Sequence, residues 1–203
     1  MIKAVILDFG NVICSFTNDH FLNKLSAING KQKSENLKLI YKISGLPKKY
    51  ETGLISSDEF FESLSKLCDL NISYEELRKI YTDDKFTPIP GMAEIIKSLK
   101  SNYKLALLSN TSEWDTEYGI NLIPEIKLLD TITLSYEVKA MKPSPEIYYD
   151  ALTKLNLSPQ ECIYTDDILD YVKAAQNIGI NGIQFTNPEN FKSSLNKFGV
   201  EIK

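Results

Sequence analysis

Apolar residues follow two rhythms along this chain, and the change between them divides it. Ala4, Val5, Ile6 and Leu7 form a continuous apolar run that reads as a strand buried on both faces. From Ser15 to about Lys85 the apolar residues recur at helical spacing among Lys, Asn, Ser and Glu. Phe21, Leu22 and Leu25 begin one predicted helix, and Leu37, Ile40, Tyr41 and Ile43 a second that Gly45 closes. A third opens with Ser57 or Asp58 as its N-cap. A fourth opens at Ser73, where Glu76 three residues on fits a capping box. No strand is predicted within this stretch.

Thr87-Pro88-Ile89-Pro90-Gly91 then reads as a hinge or linker. Beyond it strands and helices alternate: a helix over 92–100, a strand over 104–108, a strand over 131–135, a helix over 145–155, a strand over 161–164, a helix over 172–178 ended by Gly179, and a last strand over 182–185. Such alternation predicts an α/β fold, a parallel sheet with right-handed crossovers and helices on both faces. Residues 1–13 and 87–203 would form that discontinuous core, with 14–86 inserted as an all-helical unit.

Composition narrows the class. The chain has 203 residues, 43% hydrophobic and 25% charged, which suits a globular protein large enough to hold a core without disulfides. Cys14, Cys68 and Cys162 form no C-x-x-C pair and are read as free thiols of a reducing compartment. Net charge is −4 and no basic tract is present, which argues against nucleic acid as a partner. No apolar run approaches a membrane span, and Met1-Ile2-Lys3 leads straight into a strand rather than a signal peptide. The expectation is a cytoplasmic protein with no membrane partner, a monomer or small homo-oligomer.

Candidate chemistry gathers at strand ends. In an open parallel sheet, ligand-handling residues lie just past the carboxyl ends of the strands. Asp8 ends the first strand, Ser109-Asn110 follow the 104–108 strand, and Asp166-Asp167 follow the 161–164 strand, with Lys142-Pro143 between the last two. An isolated D-x-G is most often a turn. Three carboxylates, a hydroxyl and an ammonium converging on one edge suit phosphoryl transfer instead. A phosphate ester repels a carboxylate nucleophile unless cations intervene; Lys142 would supply one and Mg2+ held by carboxylates another. A carboxylate that attacks phosphorus splits one hard step into two.

With these residues in order and at this spacing, the chain resembles the haloacid dehalogenase-like hydrolases over essentially its whole length. Asp8-Phe9-Gly10-Asn11-Val12 is similar to the first motif of that family, Leu108-Ser109-Asn110 to the second, Lys142-Pro143 to the third and Asp166-Asp167 to the fourth. The Pro90-Gly91 hinge and the stretch from Gly53 to Phe60 resemble its hinge and helical cap. Within the family, D-x-G-N-V resembles the branch containing alpha-D-glucose-1-phosphate phosphatases. The resemblance implies a Rossmann-like core with a helical cap, a Mg2+ cofactor and small phosphorylated metabolites as substrates, sugar phosphates such as alpha-D-glucose 1-phosphate among them. It also implies roles: Asp8 as nucleophile forming an aspartyl phosphate, Ser109 and Asn110 holding the phosphoryl group, and Lys142 neutralising both. Asp8, the Gly10 carbonyl, Asp166 and Asp167 would hold the metal, Asp167 directly or through water.

Two positions depart from the family pattern. A second aspartate commonly stands two residues after the nucleophile as general acid and base, a role worth roughly 10²–10⁴-fold; here that residue is Gly10. The expectation from Gly10 is a preference for anomeric sugar, aryl or acyl phosphates over simple alkyl phosphates. Asp19 and His20 are groups able in principle to supply a proton, though nothing in the sequence places them at the site. At Tyr171 the pattern often has asparagine, for which Asp170 is a partial substitute. Two rival functions follow: an L-2-haloacid dehalogenase using Asp8 without metal, disfavoured by Asp166-Asp167, and a catalytically weak protein that binds a phosphometabolite or partner. Trp114, Tyr118, Phe16 and Phe21 are candidates for the pocket mouth or for packing between cap and core.

Overall fold

In a computed structural model that describes residues 1–202, the chain builds a five-stranded parallel sheet carrying a helical insert. Strand β1 (Ala4–Leu7) leads into the short β2 (Cys14–Phe16). Helices α1 (Asp19–Asn29), α2 (Lys33–Leu37), α3 (Leu46–Glu51), α4 (Ser57–Cys68) and α5 (Tyr74–Thr82) make the insert. Then come β3 (Phe86–Pro88), α6 (Met92–Lys100), β4 (Lys104–Ser109), α7 (Glu113–Tyr118), β5 (Thr131–Leu134), α8 (Ser135–Val138), α9 (Pro145–Leu155), β6 (Cys162–Asp166), α10 (Leu169–Asn177), β7 (Asn181–Gln184) and α11 (Pro188–Lys197).

The sheet order is β5-β4-β1-β6-β7. Strand β1 is central, paired in parallel with β4 on one side and β6 on the other, which explains why all four of its residues are apolar and fully buried. Side chains alternate between faces. Val5 and Leu7 join one core with α6 and α11, through Ile95, Leu99, Phe191 and Leu195. Ala4 and Ile6 join the other with α9, through Ile147, Ala151 and Leu155. Thus the carboxyl ends of β1, β4 and β6 are fixed side by side. The three cysteines are free and buried.

Several elements differ from expectation. Strands β2 and β3 pair antiparallel, Ser15 opposite Thr87, where no strand is predicted. Three residues are too few to show an alternation, and the pairing comes from the two chain crossings running side by side. The second predicted helix runs through Ile43, but from Lys38 to Ile43 it is a π-turn that continues α2, with Ser44 as its C-cap, and Gly45 (φ 64°), expected to close it, is the N-cap of α3. The N-cap of α4 is Ser56, which accepts from the Glu59 N–H in a reciprocal capping box. At α5 the Ser73 hydroxyl accepts from the Glu76 N–H.

A third hydrophobic cluster sits inside the insert, built on Phe21, Leu25, Tyr50, Phe60, Leu64 and Tyr81. Trp114 of α7 reaches into it from the far side of the hinge. Its ring meets Tyr50, Phe60, Tyr74 and Tyr81 edge-on at 5.3–5.8 Å. Its indole N–H donates to the Tyr74 hydroxyl at 2.8 Å and its backbone N–H to the Tyr50 hydroxyl at 3.1 Å. Sheet unit and insert therefore share packing, and Trp114 and Phe21 are packing residues rather than pocket residues. Tyr118 is half-buried under the Arg78 guanidinium, which lies 3.8 Å from its ring centroid. Among the described residues no helix is long and apolar enough to cross a membrane.

Candidate active site

A cavity of about 290 Å³ lies between the carboxyl edge of the sheet and the insert. The sheet side supplies Asp8, Gly10, Ser109, Asn110, Lys142 and Asp167. Each sits where a strand ends or a crossover begins, so the fold itself aims them at one point.

Lys142 holds the centre. Its Nζ is 2.6 Å from Asp8 Oδ1 and 2.7 Å from Asp166 Oδ2, with all three side chains buried. Asp166 Oδ2 also accepts from the Tyr164 hydroxyl, and Oδ1 accepts from the Ile168 N–H at 2.8 Å. Burial disfavours the Lys142 charge, but Asp8 and Asp166 more than offset it, so its pKa is raised. Asp8 moves the other way for an acid. Burial lifts its carboxyl well above the usual range, Lys142 draws it back in part, and the Asp166 charge lifts it again. Asp167 is raised for the same first reason, against the hydrogen bond from Asn11. Protein groups alone leave this cluster short of positive charge.

Asp8, Asp166 and Asp167 each offer a carboxylate oxygen, all within 4.8 Å of one another. Oxygen-only donors at this spacing, with one ammonium among them, fit a hard divalent cation such as Mg2+. Asp170 is exposed and outside the cluster, so it does not stand in for an asparagine at 171. The Tyr171 ring instead lines the cavity, 5.2 Å from Lys142 Nζ.

The second-motif residues divide their work. Ser109 lines the cavity with its hydroxyl making only a long contact, 3.5 Å, to the Asn110 carbonyl. Asn110 uses its amide on the Lys142 backbone: its Nδ2–H donates to the Lys142 carbonyl at 3.2 Å, and its Oδ1 accepts from the Lys142 N–H at 2.8 Å. The Asn110 side chain is thus spent on the Lys142 backbone, where it positions the lysine. The N-cap of α7 is Ser112, whose hydroxyl accepts from the Asp115 N–H. Replacing Asn110 with alanine is expected to cost about 1–3 kcal/mol, since two buried Lys142 backbone groups lose their partner, and to lower kcat through a displaced ammonium. Urea unfolding and steady-state kinetics check both.

Other functional positions escape sequence reading. Asn11 has φ 55°, a conformation asparagine tolerates, and its Nδ2–H donates to Asp167 Oδ2 at 3.1 Å; the asparagine within D-x-G-N was its signal. The insert wall brings Asn18, Tyr41, Glu51 and Tyr81, with Lys85 and Asp115 beside them. Lys85 Nζ and Asp115 Oδ1 form a buried ion pair at 2.6 Å. Asn18 Oδ1 and the Tyr41 hydroxyl are buried and have no hydrogen-bond partner among the described residues. These residues come from scattered elements and carry no motif. His20 and Asp19 are not among the residues lining the cavity; they face Asp84 at 3.3 Å and Lys33 at 2.6 Å. Phe16 does line it.

A family model described as haloacid dehalogenase-like hydrolase matches residues 5–185. The chain is 25% identical over 201 residues to a D-ribitol-5-phosphate phosphatase of Bacteroides thetaiotaomicron, covering 96% of this chain and 97% of that protein. It is 28% identical over 184 residues to a phosphorylated carbohydrates phosphatase of Thermotoga maritima, covering 89% and 83%. The fold superposes with a TM-score of 0.84 on a crystal structure of a haloacid dehalogenase family enzyme of Bacteroides thetaiotaomicron in complex with magnesium and inorganic phosphate, at 21% identity over 96% of this chain and 99% of that one.

Proposed function

The chain belongs to the haloacid dehalogenase-like hydrolases, and on that footing we propose that it is a Mg2+-dependent phosphatase of small phosphorylated sugars and sugar alcohols, alpha-D-glucose 1-phosphate among its candidate substrates. The observation that carries this reading is the charge of the site: three carboxylates within 4.8 Å of one another around one ammonium. An anionic ester approaches such a group only if a further cation is held there. A dehalogenase attacking carbon gains nothing from that excess of carboxylate. The cavity, about 290 Å³, lies at the small end of ligand pockets, which run from about 300 to 1,000 Å³, and suits a substrate of sugar size. The two relatives named for carbohydrate or polyol phosphates support the same class.

In this reading Lys142 holds the Asp8 carboxylate ionised and oriented for attack on phosphorus. The Ser109 hydroxyl and the main chain after β4 bind the phosphoryl oxygens. Phosphate passes to Asp8 as an acyl phosphate and then to water. Mg2+, bound by Asp8, Asp166 and Asp167 with the Gly10 carbonyl, would screen the negative charges of ester and nucleophile from one another.

The test is hydrolysis of p-nitrophenyl phosphate and a panel of sugar and polyol phosphates, with Mg2+ and with EDTA. Expected are turnover abolished by EDTA and restored by Mg2+, and a melting temperature that rises with Mg2+, equivalent to about 2.7 kcal/mol at one hundred times its Kd. Halide release from a 2-haloacid that is indifferent to EDTA would contradict the reading. So would hydrolysis no faster than that of an Asp8→Asn control.

A further inference from the structure

Position 10 carries no acid and is crowded by β2: a Cβ on Gly10 would lie 3.3 Å from Cδ1 of the Phe16 ring, so a carboxyl there would need that ring to shift. The chemistry proposed above still has protons to move. A sugar or alkyl oxygen leaves phosphorus as a strong base unless protonated, and the water that releases phosphate from Asp8 must give up a proton. Among the described residues four carboxyl side chains line the cavity: Asp8, Glu51, Asp115 and Asp167. Asp8 is the nucleophile, Asp167 belongs to the carboxylate cluster, and Asp115 is paired with Lys85. Glu51 remains, with no hydrogen bond or ion pair to its carboxylate among the described residues.

Glu51 ends α3 and is tied to the catalytic edge. Ser135 Oγ donates to the Glu51 carbonyl at 2.5 Å and accepts from the Thr111 N–H at 2.9 Å, two residues from Ser109. In so small a cavity, a substrate held at Asp8 presses its leaving group against the opposite wall. We propose that Glu51 is the general acid and base of this site. The inference rests on the phosphatase reading. As Asp8 Oδ attacks phosphorus, the bond to the leaving oxygen breaks with its electron pair, and that oxygen takes the Glu51 proton. Water then attacks the aspartyl phosphate and gives a proton to the Glu51 carboxylate, while Asp8 leaves as carboxylate and phosphate departs.

The electrostatics agree with the geometry. Burial, then the Asp115 charge, push Glu51 up to about 7, with Lys85 opposing. The tyrosines facing it, Tyr41, Tyr81 and Tyr171, are themselves held above their ordinary range by burial first, so they stay neutral. A group titrating near neutrality suits both proton transfers. With Glu51 in this role, Gly10 by itself no longer implies a preference against alkyl phosphates.

The experiment compares Glu51→Gln, Glu51→Asp and the unaltered protein with Mg2+ on two esters, D-ribitol 5-phosphate and p-nitrophenyl phosphate. For Glu51→Gln, kcat on the ribitol ester is expected to fall roughly 10²–10⁴-fold, and the unaltered protein's decline in kcat above pH ~7 to disappear. On the aryl ester, whose leaving group needs no acid, the same variant should release a rapid burst of about one equivalent of p-nitrophenolate per enzyme before slow turnover, because the second step lacks its base. Glu51→Asp keeps a carboxyl and should recover part of the ribitol turnover. Equal losses on both esters with no burst, or full activity in Glu51→Gln, would overturn the inference and leave the phosphatase reading standing. No Mg2+-dependent hydrolysis of either ester by the unaltered protein would overturn both.

Discussion

Replacing Asp8 with asparagine is expected to lower kcat by on the order of 10⁴–10⁶-fold while leaving a folded protein. Asparagine matches aspartate in shape, so the packing at the end of β1, where Asp8 is buried with Lys142 Nζ at 2.6 Å, stays filled. What disappears is the nucleophile. An amide oxygen is too weakly basic to attack phosphorus, and no other carboxyl takes its place: Asp166 is fully buried behind Lys142 and accepts from Tyr164 and Ile168, and Asp167 is turned to Asn11. Steady-state kinetics on p-nitrophenyl phosphate, with circular dichroism to establish the fold, give the answer. Residual activity within tenfold of the unaltered protein would mean that Asp8 only arranges charge.

Replacing Lys142 with methionine is expected to have the largest effect on stability, about 3–5 kcal/mol, because it strands two buried carboxylates without their cation. Lys142 and Asp166 have side chains only 2% and 0% exposed, so water cannot take over the lost contact. The pH dependence has a definite sign. Without the ammonium, Asp8 is left with its burial and the Asp166 charge, both of which hold its folded-state pKa above that of the unfolded chain, so the folded state binds protons more readily and stability falls as pH rises. The deficit against the unaltered protein should therefore be larger at pH 8 than at pH 5, and smaller again with Mg2+ present. Activity should fall at least roughly 10²-fold at either pH, since the cation that orients Asp8 and faces the phosphoryl group is gone. Denaturant titrations at the two pH values measure it; a deficit that is small, or that grows toward acid, would contradict this account of Lys142.

The parts of this site that could be read from the chain are those that the sheet places by rule. A buried apolar run followed by a polar residue marks a strand and its exit, and Asp8, Ser109 and Asp166 all sit at such exits. Helices α6 and α9 match their predicted bounds because glycine or proline starts each and their apolar residues keep a clean 3.6 period. The third dimension was not readable in the same way. The Asn110 amide turning to the Lys142 backbone, thirty-two residues on, follows from β4 lying beside the 135–143 crossover. Strands β2 and β3 are too short to show an alternation. Helix α11 had a usable sign in Asn187-Pro188, an N-cap followed by proline at the first turn, that the apolar rhythm did not bring out. Glu51, Tyr41, Lys85 and Asp115 meet in one cavity wall only because α3, the π-turn, the hinge and α7 close on it. Each by itself looks like an ordinary helix or loop residue.

The central claim is that Asp8 carries the phosphoryl group during turnover. Rapid acid quenching of the Mg2+-loaded protein with a 32P-labelled sugar phosphate, followed by peptide mapping, tests it. The expected result is a label on the peptide that contains Asp8, released by hydroxylamine as an acyl phosphate would be, and absent from the Asp8→Asn variant. Phosphate release at the catalytic rate with no label on the protein, or a label on any other peptide, would contradict it.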